Sequence, residues 1–300
     1  MRDKSKHVTI QFPAADSWVI LNPIEQRIKE KIEKIGTPLK DWDIQINYGI
    51  KTGCNEAFII DGKKREELIA SSPNSVDIIR PILRGKDIKR YTYNFADKYL
   101  IFIPWHFPMH NDQEIKGASK EAEKEFKKQY PAIYNHLLQY KDKLANRNKA
   151  ETGIRYEWYA LQRFGANYSD LFFERKIIYP CIMADEPKFC LDKNGEYFTT
   201  APGNIIAGDN LIYLLNMLCS DLLYFALRKF YMGGGIEGEL KTNRLLLLPV
   251  MKLVPNCKEC LMIKNTYDKS KFHNKINRLV YQLYDITEEE IKFIEKNTFV

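Results

Sequence analysis

The sequence predicts a mixed α/β fold in which short strands and helices are segregated rather than strictly alternating. Two observations carry this. Strand-like runs are only a few residues long, and helical periodicity gathers at the start, in residues 112–150 and after Ile276. The same segregation argues against a doubly wound sheet. With 300 residues, 45% of them hydrophobic, the chain can bury a sizeable core.

The first helix is expected from Asn22 as cap and Pro23 at the first position to Gly36 at the exit. Ile24, Ile28, Ile32 and Ile35 form its apolar stripe, and Glu25–Lys29 and Glu30–Lys34 are helix-spaced ion pairs. Residues 41–48 alternate as a half-buried strand, and 57–60 and 99–103 are further short strands. Residues 112–150 are rich in Lys, Glu, Gln and Asn. Ala118, Ala122 and Phe126 are at helical spacing, and a second helix begins at Pro131. This stretch reads as a helical insertion, with a linker as the alternative. Strands return at 176–183. Segments 188–191 and 196–199 flank Lys193-Asn194-Gly195, a hairpin signal. Ile205 and Ile206 mark another strand, Asp209 caps an apolar helix, and 245–250 is read as a strand. At the end, Ile276, Leu279, Val280 and Leu283 define a helix. Thr287 with Glu290 is a capping box that starts a last helix at Glu288.

Lys and Arg number 46 against 39 Asp and Glu, a net charge of +7. This mild basic bias permits a phosphate-bearing partner without demanding one. Six scattered cysteines and an opening MRDKSKHVTI without an apolar stretch lead to the expectation of a reducing, cytoplasmic location, with no signal peptide and no membrane span. Catalytic motifs are incomplete. Cys257 and Cys260, even with His273, fall short of four zinc ligands. His106 and His110 flank Pro108, which disfavours the helix that would let them share a metal. Glu174-Arg175-Lys176 and Glu239-Leu240-Lys241 are E-x-K strings without a Pro-Asp strand before them. The Asn/Asp-Pro-Pro-Tyr/Phe loop that holds a flipped adenine is missing, and so are a P-loop and a nucleophile elbow.

What remains suits phosphates and bases. Arg80, Arg84, Lys86, Lys89 and Arg90 lie close together with only Asp87 opposing, and Tyr91 and Tyr93 follow. Such interleaving serves backbone and base contacts, and it serves a solvated turn equally well. Gly49 to Asn55 joins two strands, its glycines allowing close approach and Lys51, Thr52 and Asn55 supplying polar groups. A plain glycine turn is the alternative. Gly233 to Gly235, with Lys241, Asn243 and Arg244 beyond, forms a loop of the same kind.

The segments GIKTGCNEAFIID, LIASSPNSVDIIRPILRGKDIKRY and YLIFIP resemble the TaqI-like C-terminal specificity domain of type IIG restriction–modification enzymes and related adenine DNA methyltransferases. The resemblance continues through YPAIYNHLLQYKDKL, KIIYP, LIYLLNMLCSDLLYF, GGGIEGELKTNRLLLLPV and INRLVYQLYDITEEEIKFIE, about residues 18 to 296. It implies a target-recognition domain for double-stranded DNA. Its halves would be 18–110 and 151–255, around the insertion 111–150 and before a helical segment 270–300. It further implies a methyltransferase domain, and in many members a nuclease domain, in the same polypeptide or as a partner. S-adenosylmethionine and Mg²⁺ would belong to those domains and not to this chain. Base-reading residues differ with the target in this family, so the expected DNA contacts rest on loop chemistry: Lys51, Thr52, Asn55, Arg84, Lys86, Lys89, Arg90, Tyr91, Lys241, Asn243 and Arg244. Two other readings are a Mg²⁺-dependent nuclease using Glu239 and Lys241, and a protein–protein scaffold. Because the methyl-transfer motifs are missing, the purified chain should incorporate no labelled methyl from S-adenosylmethionine into DNA. Clear incorporation would refute the recognition-only reading.

Overall fold

The computed structural model describes residues 21–232, 238–266 and 269–298. These divide into a unit spanning Asp43–Cys219 and a second built from the chain up to Trp42 and from Ser220 onward. The architecture is mixed α/β, with three small sheets among the described residues.

The Asp43–Cys219 unit has a four-stranded antiparallel sheet in the order Ile44–Tyr48, Gly203–Gly208, Lys176–Pro180, Cys190–Asp192. All five residues of Lys176–Pro180 are buried, as a strand covered on both faces requires. The apolar helix Leu211–Leu218 packs against this sheet. A three-stranded sheet places Lys98–Ile101 between Ile59–Asp61 and Ile79–Pro81. Helices Lys120–Gln129, Pro131–Leu138 and Lys141–Asn146 occupy the polar stretch. Their Phe126, Ile133, Leu137 and Leu144 are fully buried in one core with Phe58, Leu100, Ile178 and Ile205. The stretch is therefore packed into the core and is not a linker.

Three local expectations are corrected. Residues 57–60 are not all strand: a short helix, Asn55–Phe58, precedes the strand Ile59–Asp61. Residues 245–250 give a helical turn, Thr242–Leu245, and only two strand residues, Pro249–Val250. Around Lys193-Asn194-Gly195 the turn forms, but 196–199 is not the return arm of a hairpin. Cys190–Asp192 pairs with Lys176–Ile178, and Phe198 pairs with Ile82.

The cause is a buried ion pair. Lys176 Nζ lies 2.6 Å from Asp192 Oδ2, with the side chains 0% and 2% exposed. The ammonium also donates to the carbonyls of Phe172 (2.6 Å) and Glu174 (3.2 Å). Asp192 accepts the amides of Glu196 (3.1 Å) and Tyr197 (2.8 Å). The carboxylate thus winds the turn, and the lysine satisfies the loop beneath it. Burial lowers the Lys176 pKa, and the Asp192 carboxylate opposes that shift.

In the second unit, helix Pro23–Ile35 carries the expected cap. Asn22 Oδ1 accepts from the Glu25 amide (2.9 Å), and Glu25 Oε2 accepts from the Asn22 amide (3.0 Å). Its ion pairs differ from those expected: Lys29 meets Glu33, and Glu25 meets Lys229. Gly36 is extended (φ −80°) rather than left-handed. Glycine is needed because a Cβ there would stand 2.5 Å from the backbone of Pro249, in the strand paired with Thr37–Pro38. Helices Lys269–Leu283 and Glu288–Thr298 close the chain. Glu290, 1% exposed, accepts from Thr287 (amide, 2.8 Å) and Lys31 (2.7 Å), so the capping box also ties the last helix to the first. Burial works to raise its pKa, but the bonds from Lys31 and Thr287 outweigh that and hold it below the usual 4.5.

Asp192→Ala strands a buried ammonium and should cost roughly 3–5 kcal/mol in denaturant unfolding. Lys176→Met should cost less, since the carboxylate keeps two amide donors. Equal costs would contradict this account of the pair. Glu290 has a depressed pKa, so its stabilisation is present above the usual carboxylate value and is lost as pH falls below it. A Glu290→Gln variant should therefore lose less stability than the parent between pH 5 and 3, a range of about two units around the usual carboxylate value.

Candidate nucleic-acid interface

Two of the three cationic loops share one framework. Phe198 donates its amide to the Pro81 carbonyl (2.8 Å) and accepts from the Leu83 amide (2.9 Å). On the other edge, the Thr199 carbonyl accepts from the Ile50 amide (2.9 Å), and the Ala201 amide donates to the Ile50 carbonyl (2.9 Å). Successive residues of an extended chain offer their polar groups to opposite edges, so 198–201 is a spine between the two loops. Thr199, fully buried, adds a hydroxyl bond to the Leu83 carbonyl (2.8 Å). Lys51 and Arg84 each follow immediately on a residue held by this spine.

The Lys51 turn is built tightly. Thr52 is buried, and its hydroxyl donates to Asn55 Oδ1 (2.6 Å) and accepts from the Cys54 amide (3.2 Å). Gly53 is left-handed (φ +76°), and a Cβ there would lie 2.8 Å from Arg147 Cδ. Arg147 is the pin beneath: Nη1 donates to the Thr52 carbonyl (2.9 Å), and Nη2 reaches the carbonyls of Trp158 and Ala160. The guanidinium also lies over Phe58 and Tyr156. Nothing in its sequence neighbourhood marks Arg147, because its partners are distant along the chain. Lys51 and Asn55 remain exposed.

The 84–93 turn divides its charges. Arg84 forks onto Asp87, Nε to Oδ2 and Nη2 to Oδ1 both at 2.9 Å, while Asp87 Oδ2 also accepts the Arg84 amide. Burial raises the Asp87 pKa, but Arg84 outweighs it and the carboxyl titrates below its usual range. Tyr91 is left-handed (φ 66°), 7% exposed, and pairs through its backbone with Phe189. Arg84, Asp87 and Tyr91 shape the turn. Lys86 and Lys89 are exposed, their side chains without a hydrogen bond or ion pair among the described residues, and Arg90 is half-buried. Beside them Tyr93 packs on Tyr197 (4.9 Å), and Phe95, 38% exposed, on Tyr197 and Tyr99.

The third loop belongs to the other unit. Lys241 and Asn243 are exposed around the turn Thr242–Leu245, and Arg244 is half-buried. Gly233, Gly234 and Gly235 lie outside the described residues. Lys176, His106 and His273 are held by partners outside their candidate motifs, whereas Glu239 and Lys241 meet each other. Lys176 is in the buried pair, Lys241 sits 3.6 Å from Glu239, and His273 bonds Asp221. His106 Nδ1 is 3.0 Å from Glu157. Among the described residues no three His, Cys, Asp or Glu side chains are grouped to hold a metal. None of the described helices alone is long and apolar enough to cross a membrane.

The chain belongs to the TaqI-like C-terminal specificity domain family, whose model matches residues 80–250. It is 24% identical over 247 residues to the type II methyltransferase M.MjaIV of Methanocaldococcus jannaschii, covering 80% of this chain and 72% of that protein. Its fold is similar to that of the type IIL restriction-modification enzyme MmeI, with a TM-score of 0.54 at 13% identity over 87% of this chain. The type IIG restriction endonuclease BpuSI matches 90% of the chain at 12% identity and a TM-score of 0.49. The chain spans only 36% and 34% of those two enzymes.

Arg84→Ala leaves a buried carboxylate without its fork and should lower stability by roughly 2–4 kcal/mol. Lys86→Ala and Lys89→Ala should stay within about 0.5 kcal/mol of the parent. Thermal unfolding of the three variants checks the division, and a destabilised Lys89→Ala would contradict it.

Proposed function

We propose that the chain selects the DNA sequence on which a restriction–modification enzyme acts. The observation that carries this reading is the spine 198–201, which holds two cationic turns on one rigid framework. Lys51, Lys86, Lys89 and Arg90 hold phosphates, and Asn55 reads a base edge. Thr52, Arg84 and Tyr91 act indirectly, setting the turns that carry those side chains. Lys241, Asn243 and Arg244 form a further contact from the other unit, with Asn243 as its base reader. Methyl transfer, and cleavage where it occurs, belong to a catalytic domain in the same polypeptide or a partner. That domain brings S-adenosylmethionine and Mg²⁺. Family membership supports this, as does the named chemistry of M.MjaIV, a methyltransferase, and of MmeI, a restriction-modification enzyme described in complex with DNA.

The test is a titration of duplex DNA at several salt concentrations, with the chain alone and reconstituted with its catalytic partner domain. Lys89→Ala with Arg90→Ala should weaken target and non-target duplexes alike and lower the slope of log K against log salt by about one unit per lost contact. Asn55→Ala should weaken the target by about 1–3 kcal/mol and leave the slope nearly unchanged. If both variants bind like the parent, these turns do not touch DNA. Cleavage of plasmid by the chain with Mg²⁺ alone would favour a nuclease instead.

A further inference from the structure

Beside the Lys51 turn, two arginines share one carboxylate. Arg163 exchanges both backbone hydrogen bonds with Lys51 (2.9 Å each). In such an antiparallel pair the two side chains lie on one face. The Arg163 guanidinium sits over the Trp105 ring at 5.8 Å from its centroid, and Arg155 lies over the same ring at 5.4 Å. Trp105 is itself fixed, stacked on Tyr156 (4.8 Å) and donating its indole N–H to the Leu161 carbonyl (2.9 Å). Both guanidinium groups reach Glu151: Arg155 Nη1 to Oε1 at 2.9 Å and Arg163 Nη2 to Oε2 at 2.8 Å. Asn148 Nδ2 adds a third donor at 2.6 Å.

The exposures matter. The side chains of Arg155 and Arg163 are 59% and 48% exposed, and that of Glu151 is 14% exposed. Two guanidinium groups thus meet one carboxylate, with Lys51 beside Arg163 in the backbone pair. A flat oxyanion gripped by two guanidinium groups presents the same donors that would grip a backbone phosphate. Because the arginines are largely in water, their pairing with Glu151 is weak and exchangeable.

We infer that Lys51, Arg155 and Arg163 form a phosphate-binding site for duplex DNA, which Glu151 occupies in the free protein and yields to the DNA backbone on binding. This rests on the DNA-recognition reading above. It adds two residues that no short motif marks and an internal competitor that occupies both guanidinium groups until DNA arrives.

The experiment uses a duplex of about 30 base pairs, long enough for a contact set of the usual size, titrated over a series of salt concentrations. Arg155→Ala with Arg163→Ala should lower the slope of log K against log salt by about one to two units and weaken target and non-target DNA alike. Arg155→Ala alone, whose side chain reaches only Glu151 and the Trp105 ring among the described residues, should act in the same direction if the double variant does not fold. Glu151→Gln should tighten binding several-fold on any sequence, more than Glu66→Gln, a control for net charge on helix Gly62–Ser71. A parent that binds with normal salt dependence, and folded arginine variants with its slope and affinity, would overturn the inference and leave the DNA reading standing. So would a folded Glu151→Gln no tighter than Glu66→Gln. A parent without salt-dependent DNA binding would overturn both.

Discussion

The buried pair of Lys176 and Asp192 is the constraint from which the rest of the Asp43–Cys219 unit follows. Two charges at 0% and 2% exposure survive because the ammonium and both carboxylate oxygens are themselves bonded. Asp192 turns the chain at Glu196 and Tyr197, and that turn aims 198–201 away from the strand it has just left. The redirected segment becomes the spine for Ile50 and Leu83, and thereby for both cationic turns. A hairpin at Lys193-Asn194-Gly195 would have paired 196–199 back on Cys190–Asp192 and left those turns without a common support.

Charge is divided along chemical lines. Arginines are used where a rigid fork is needed: Arg84 closes its own turn through Asp87, and Arg147 gathers three carbonyls beneath Thr52. The lysines at 51, 86 and 89 are left in solvent as mobile point charges. Arg155 and Arg163 stand between these classes, paired yet exposed. A basic run read from sequence therefore contains both residues that build the turn and residues left exposed on it, and burial of the partner carboxylate separates them.

The second unit shows how local and distant chemistry combine in one residue. Glu290 is read from sequence as the third position of a capping box, and it does accept the Thr287 amide. It also receives Lys31 from the first helix, which no local pattern announces. Gly36 is similar. Its position after a helix suggests a left-handed cap, whereas its use is the close approach of Pro249.

What the sequence determined by itself is whatever depends on neighbours within a few residues. The cap at Asn22, the box at Thr287, the helices around Phe126 and Ile133, and a glycine turn within residues 49–55 were legible because propensity and periodicity are local. The family, too, was legible, since it is carried by a string of such segments. Tertiary structure decided what depends on partners far along the chain. It chose the path of 198–201, the short helix ahead of Ile59 and the shrinkage of 245–250 to two strand residues. It likewise buried Tyr91 and Thr52, and it brought Arg147 and Arg163 to the Lys51 turn. Long-range hydrogen bonds and buried charge have no period in the sequence, so only the packed chain shows where they fall.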